Sequence, residues 1–238
     1  MVRSKAFQRR HRKEMSVWHA TDEIGSVELL ETFGSDLTVV NAARVSFAKE
    51  VQEMTTRDEK LVHYLARHDH ISPFFHPQAR FRIKMPIFVA REWYRHTIGL
   101  ARNEVSRRYV DTMPELWFPP ADGLRARDPN AKQGSKEEPI ADADTWVEAI
   151  QTYGRETVEF YKRLMDAGVA PEIARSVLPQ GMYTEFIETG SLAAYARIWA
   201  LRTDPSAQRE IQAYARAIGD LLKKQFPVSW EALTTASS

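Results

Sequence analysis

The stretch QARFRIKMPIFVAREWYRHT, Gln78–Thr97, decides the fold class. Its first eight residues alternate. Ala79, Phe81, Ile83 and Met85 fall on one side of an extended chain, and Arg80, Arg82 and Lys84 on the other. Successive side chains of a strand point to opposite faces, so this is the pattern of a half-buried strand. Pro86 ends the alternation and suits the first turn of a helix, where its missing N–H costs nothing. The residues from Pro86 to Thr97 are expected to form that helix, which would bring Arg91 and Arg95 onto one face.

Outward from this stretch the patterns are mostly helical. SDLTVVNAARVSF reads as a short helix capped by Ser35 or Asp36, and TTRDEKLVHYLARHDH as a second, with Thr56 and Glu59 in capping-box spacing. Trp146, Ile150, Tyr153, Thr157, Tyr161 and Leu164 recur at helical spacing until Gly168. PEIARSVL is a short helix opened by Pro171, and SLAAYARIWALR and PSAQREIQAYARAIGDLLKKQF read as amphipathic helices. Together these define an α+β class: a small mixed or antiparallel sheet surrounded by several helices.

The chain of 238 residues contains 43% hydrophobic and 11% aromatic residues, enough for a real core. There are no internal repeats. The basic start MVRSKAFQRRHRKEM lacks the apolar segment of a secretory signal. Residues 1–20 are expected as a flexible basic tail, solvated or touching a polyanion, and residues 21–238 as one domain. Within it, the stretch of Pro, Gly and charged residues at about 119–144 reads as a long surface loop.

A net charge of +1 gives no global reason to expect nucleic acid or a membrane, so charge arguments must be local. No apolar run approaches the roughly 20 residues that span a bilayer. The chain has no cysteine, which removes disulfides, thiolate metal sites and a cysteine nucleophile together, and fits a cytoplasmic protein.

The chemistry-bearing residues are concentrated arginines. After Gly99 the segment NEVSRRY reads as a polar loop with Asn103, Glu104 and Ser106 beside Arg107 and Arg108. Guanidinium forks suit phosphate and the carbonyl edge of a base. Arg175 and Arg202 each stand in an apolar segment. Two readings stay open on residue types alone: solvated or structurally paired arginines, or an anion pocket. His68, His70 and His76 in HDHISPFFHP do not read as a metal site, because Asp69 is the one carboxylate among them and Pro73 and Pro77 mark a turn.

MPIFVAREWYRH followed by NEVSRRY resembles the signature region of the flavin-dependent thymidylate synthases, in which Arg-His-Arg is followed by seven residues and Ser. GSDLTVVNAARVSF, YLARHDHISPFFH, ARSVLPQGMYTEF and LRTDPSAQREIQAYA are similar to further blocks of that family in family order, so the resemblance covers roughly Ile24 to Phe226. It implies a thymidylate synthase-complementing protein-like fold and a single catalytic domain. It also implies dTMP synthesis from dUMP, with 5,10-methylenetetrahydrofolate as one-carbon donor, FAD as cofactor and NADPH as reductant. The assembly implied is a homotetramer with shared active sites.

By the same resemblance Arg202 activates the pyrimidine at N3, Ser106 lies beside the substrate, and Arg175, Arg108 and Arg95 bind nucleotide. Glu92, Glu104, Val105 and Arg107 complete that pocket. Ser46, His70, Ser72, His96, Asn103, Ser191 and Arg197, with Arg95, are the implied flavin contacts, and His70 is counted with the catalytic residues. The chain also departs from the family. Thr97 stands where the motif has its second Arg, Ser106 lies ten residues after His96 instead of nine, and Phe75, Ser191, Ala193 and Arg197 replace usual flavin contacts. Arg102 is a candidate substitute for the missing arginine. These losses fall mainly on the flavin side, which keeps a second expectation open: a deoxypyrimidine nucleotide hydroxymethylase acting on dUMP or dCMP. A nucleic-acid-binding module is a third, resting on local charge alone.

Overall fold

The computed structural model describes residues 17–110, 112–129 and 134–235. Most of the segment read as a basic tail lies outside the described residues, as do positions 111 and 130–133.

A five-stranded antiparallel sheet runs in the order β1-β2-β3-β7-β4. Its strands are β1 (Val17–His19), β2 (Ser26–Phe33), β3 (Gln78–Pro86), β4 (Leu100–Glu104) and β7 (Tyr183–Ser191). Strand β3 has the expected alternation, with Ala79, Phe81, Ile83 and Met85 all buried. Eight helices accompany the sheet among the described residues: α1 (Asp36–Arg44), α2 (Thr56–Arg67), α3 (Ile87–Trp93), α4 (Ala143–Asp166), α5 (Pro171–Ala174), α6 (Leu192–Arg202), α7 (Arg209–Gln225) and α8 (Pro227–Thr235). The class is α+β, as the sequence implies.

The chain divides into two compact units. The first is made of residues up to Ile83, Tyr94–Asn103 and residues from Phe186 onward. In it α2 packs on α8, and α6 and α8 pack on α7. Phe81 meets Tyr195 edge to face at 5.2 Å, and Trp199 meets Trp230 at 6.2 Å. Burial of each such side chain contributes about 1.5–3 kcal/mol. The α8 N-terminus is capped from far away in sequence: Asp36 accepts the amides of Val228 at 3.1 Å and Ser229 at 2.8 Å.

The second unit is made of Lys84–Trp93 and Glu104–Glu185. Its long helix α4 stops at Gly168, whose φ of +82° suits glycine. Gly154 lies against Leu116 and Phe118, and Phe88 against Trp117 at 5.0 Å. The stretch read as a loop at about 119–144 contains a short antiparallel hairpin, β5 (Arg125–Arg127) with β6 (Ser135–Pro139).

Four local expectations are corrected. Helix α2 is capped one residue earlier than the Thr56–Glu59 spacing suggests, because Asp58 reaches back to the amide of Thr55 at 3.0 Å and to its hydroxyl at 2.6 Å. Pro86 is the last residue of β3, not the first of α3. The amides of Ile87 and Phe88 donate to the carbonyls of Met182 and Gln180, which fixes where the helix begins. Helix α3 ends at Trp93, so Arg95 lies in the following turn and does not share a helical face with Arg91. Helix α6 is buried on nearly every side, so it is not amphipathic.

Candidate active site

The first unit places a cluster of arginines around one histidine. The turn after Trp93 carries Arg95 and His96, strand β4 carries Arg102, and α6 carries Arg197 and Arg202. Arg202 donates from Nε to Nε2 of His96 at 3.0 Å. An arginine nitrogen always carries its proton here, so Nε2 must be the unprotonated nitrogen and the imidazole is neutral with its proton on Nδ1. Its pKa is pushed down to about 4, by burial first and then by the positive charge of Arg202, Arg197, Arg102 and Arg95.

Arg102 is held by Glu188 of β7, whose carboxylate is 0% exposed. Its Nε lies 2.7 Å from Glu188 Oε2, and Nη2 reaches the same oxygen. The guanidinium packs 4.4 Å from the ring of Tyr94 and 5.5 Å from that of Phe186, and Nη2 lies 3.4 Å from the His96 carbonyl. Arg102 is therefore turned to Glu188. Of NEVSRRY, Asn103 and Glu104 belong to β4, where Arg102 enters the protein with its partner, and Val105–Tyr109 form the loop that the sequence suggests.

Arg95 and Arg197 are exposed and, among the described residues, form no ion pair. With His96, Thr97, Ala194 and Ile198 they line a shallow depression. Ser191 caps α6, accepting the amide of Ala194 at 3.2 Å, and is buried. Ser46 and Ser72 are exposed in short 3-10 turns, Asn103 is exposed on β4, and His70 is exposed and stacks on Tyr64 at 6.3 Å.

The second unit carries the other predicted residues. Glu104 accepts the Thr184 hydroxyl at 2.5 Å, and the Val105 amide donates to the Glu185 carbonyl at 2.8 Å. Ser106 Oγ receives the Arg108 amide at 3.3 Å and Arg108 Nε at 3.4 Å, which folds that arginine over the turn. Arg107 donates to the Thr112 carbonyl, so this side chain braces the loop. Arg175 is exposed at the end of α5, and Glu92 is half-buried on α3.

Sequence reasoning missed Glu188 and Thr184. Both lie on the inward face of β7, where Thr184, Phe186 and Glu188 alternate. Period-two alternation was the available signal: an acid at an inward position requires a partner.

A profile of the family described as thymidylate synthase complementing protein matches residues 28–228. A flavin-dependent thymidylate synthase of Kosmotoga olearia is 41% identical over 213 residues, covering 88% of this chain and 90% of that protein. The Thermotoga neapolitana flavin-dependent thymidylate synthase is 39% identical over 208 residues, covering 87% and 90%. Among solved structures, a UMP/dUMP methylase, PolB of Streptomyces cacaoi, bound with 5-Br dUMP, superposes with a TM-score of 0.79 at 34% identity, covering 88% of this chain and 94% of that one. The chain belongs to the thymidylate synthase complementing protein family, that of the flavin-dependent thymidylate synthases.

Proposed function

We propose that the chain is a flavin-dependent thymidylate synthase that transfers a one-carbon unit from 5,10-methylenetetrahydrofolate to C5 of dUMP and yields dTMP. The observation that carries this reading is the arginine cluster: Arg95, Arg102, Arg197 and Arg202 surround a neutral His96, and Arg95 and Arg197 form no ion pair among the described residues. Such an excess of positive charge is stabilised by a bound anion. A pyrimidine nucleotide and a flavin dinucleotide are both anionic, and the relatives bear names to match.

The residues present fit a flavin adenine dinucleotide. Arg95 and Arg197 offer unpaired guanidiniums for phosphate oxygens beside the apolar Ile198 and Ala194. Ser191 is buried as the cap of α6, so in the proposed site these two arginines would hold the cofactor, which would supply the hydride that reduces the transferred carbon. NADPH restores it in this reading. Arg202 faces the O4/N3 edge of the uracil and stabilises the negative charge that builds as C5 becomes nucleophilic. His96 orients Arg202 by accepting from Nε. Ser106, Arg108 and Arg175, in the second unit, are the further nucleotide residues that the family resemblance implies. A chain without cysteine cannot activate C5 by thiolate addition, so this polarisation replaces it. A homotetramer and a cytoplasmic location belong to the same reading. The exposed Trp146, Ile150 and Tyr153 of α4 support assembly. No helix among the described residues is long and apolar enough to cross a membrane.

The test is one assay. Purified protein is loaded with FAD, its visible spectrum recorded, and dUMP, methylenetetrahydrofolate and NADPH added, with the product read by mass spectrometry. A flavin spectrum and dTMP are expected. Colourless protein that forms no dTMP overturns the reading, and a product heavier than dTMP by one oxygen replaces it with hydroxymethylation. UMP in place of dUMP, in a parallel arm, measures the preference for deoxyribose.

A further inference from the structure

Glu188 has no assigned role, yet it is the most deeply buried acid bonded to the arginine cluster. It lies at 0% exposure on β7 and bonds Arg102 through both Nε and Nη2. A buried ion pair is a poor way to gain stability, because desolvation of both charges offsets most of their attraction; apolar residues of similar size often do as well. Its placement shows what else it does. Arg102 extends beyond Glu188 to the main chain of the turn that carries Arg95 and His96. Nη2 approaches the His96 carbonyl at 3.4 Å, and the guanidinium plane packs on Tyr94, 4.4 Å away. Tyr94 is in turn fixed edge to face on Phe186 at 5.1 Å. From the same residue, His96, the imidazole Nε2 accepts from Arg202 at 3.0 Å. A continuous path of contacts therefore runs from Glu188 through Arg102 and His96 to Arg202.

We propose that Glu188 and Arg102 are positioning residues: they fix the turn bearing His96, and through the imidazole of His96 they set the orientation of the Arg202 guanidinium. Neither touches the pyrimidine. The inference rests on the proposed function for its kinetic arm alone; its spectroscopic arm concerns the protein's own histidine. His96 must present a bare Nε2 to Arg202, so the path maintains one tautomer, the one protonated at Nδ1. Once the turn is released from Arg102, Nε2 no longer meets Arg202 reliably, and the ring also samples the Nε2-protonated tautomer.

The decisive variant replaces both charges with apolar side chains, R102M/E188M, which leaves no uncompensated buried charge. The buried Tyr195 hydroxyl loses the Glu188 carboxylate but keeps the Glu188 backbone carbonyl at 3.4 Å, and the variant is expected to fold. R102K, which keeps a positive charge near Glu188 but lacks the planar fork, is the second. Both are compared with the unaltered protein by thermal unfolding, by kcat and KM for dUMP, and by nitrogen-15 NMR of labelled histidine, with H96N used to assign the His96 signals. The expected result for R102M/E188M is a melting temperature close to that of the unaltered protein, a kcat lower by about tenfold or more, and a KM for dUMP within roughly threefold. His96 is expected to show a mixture of tautomers. R102K should fall between the two proteins in kcat and tautomer population. A folded double variant that keeps its kcat and a pure Nδ1-protonated His96 overturns the proposal and leaves the pair a structural cross-link between β4 and β7. If the double variant does not fold, R102K decides by the same two readouts. Should the unaltered protein make no dTMP, the proposed function fails, while the tautomer comparison still supports or overturns the positioning path.

Discussion

Arg202 and His96, 106 residues apart in sequence, meet through a single hydrogen bond in which guanidinium Nε donates to imidazole Nε2. The contact uses the one arginine nitrogen that lies between the side-chain stem and the terminal fork. It therefore fixes the plane of the fork. A lysine at this position has no counterpart to Nε and no plane to set. R202K is expected to lower kcat for dTMP formation at least about 100-fold, the range seen when a charge-stabilising donor is removed from a transition state. Steady-state kinetics with dUMP as the varied substrate measures it, and an R202K protein within tenfold of the unaltered one would remove Arg202 from the chemistry.

The pKa of His96, pushed down to about 4, has a consequence for stability. In the unfolded chain an imidazole titrates near 6.5. Between the two values the unfolded chain holds the proton and the folded one does not. The contribution is thus fully present above about 6.5 and is lost as pH falls toward 4. Urea unfolding at several pH values between about 4.5 and 7 should show stability falling toward acid, with a shallower slope in H96N. Equal slopes in the two proteins would mean that His96 protonates as readily folded as unfolded.

Asp36 caps helix α8 by accepting two of its first amides, from Val228 and Ser229. Alanine leaves the amides of Val228 and Ser229 without this partner, and asparagine restores one of the two acceptors while its NH2 faces the other amide. D36A is expected to cost about 1–3 kcal/mol and D36N less, read from the urea midpoint. A loss in D36N as large as in D36A would show that one restored acceptor contributes nothing to the cap.

Arg197 is exposed on α6 and, among the described residues, has no ion-pair partner. If it holds a phosphate of the flavin, R197A should weaken FAD affinity about tenfold, as loss of one charged hydrogen bond does. Titration of the apoprotein by flavin fluorescence gives the number directly. Unchanged affinity would assign the flavin to other residues.

A methyl group added at Gly190 would meet Leu100 and come within 2.9 Å of the buried Tyr195 ring. G190A is expected to destabilise the protein by about 1–3 kcal/mol, since Leu100 must shift and the Tyr195 ring is buried. Thermal or urea unfolding checks this, and a G190A protein as stable as its parent would show that Leu100 yields without strain.

The parts of the fold legible in sequence are those whose pattern is apolar and local. Strand β3 is one, because its four inward residues are all hydrophobic. Helix α4 is another, because its period persists over six residues up to Gly168. Strands β4 and β7 were hidden for one reason: their inward positions include Arg102, Thr184 and Glu188, so each imitates a polar segment until the pairing is seen. Helix α3 ends at Trp93 although the residue pattern continues, because the turn after it is held by Arg102 from β4, a contact no local rule contains. The site followed a similar division. The resemblance picked out Arg95, His96, Arg197 and Arg202, and the geometry unites them. Arg102 is bonded to a buried acid, Glu188, that no local pattern announced.

The bond between Asp36 and Ser229 spans 193 residues. During synthesis at about 5–20 residues per second, roughly 10–40 s separate the emergence of these two positions. For most of that interval the first strands and helices of their unit wait without α6 or α7 to cover them, α8 follows only at its end, and until then Asp36 keeps its water. The nascent chain thus spends most of its manufacture with a core surface uncovered, and chaperone dependence should track translation speed more closely than it tracks the finished protein's stability.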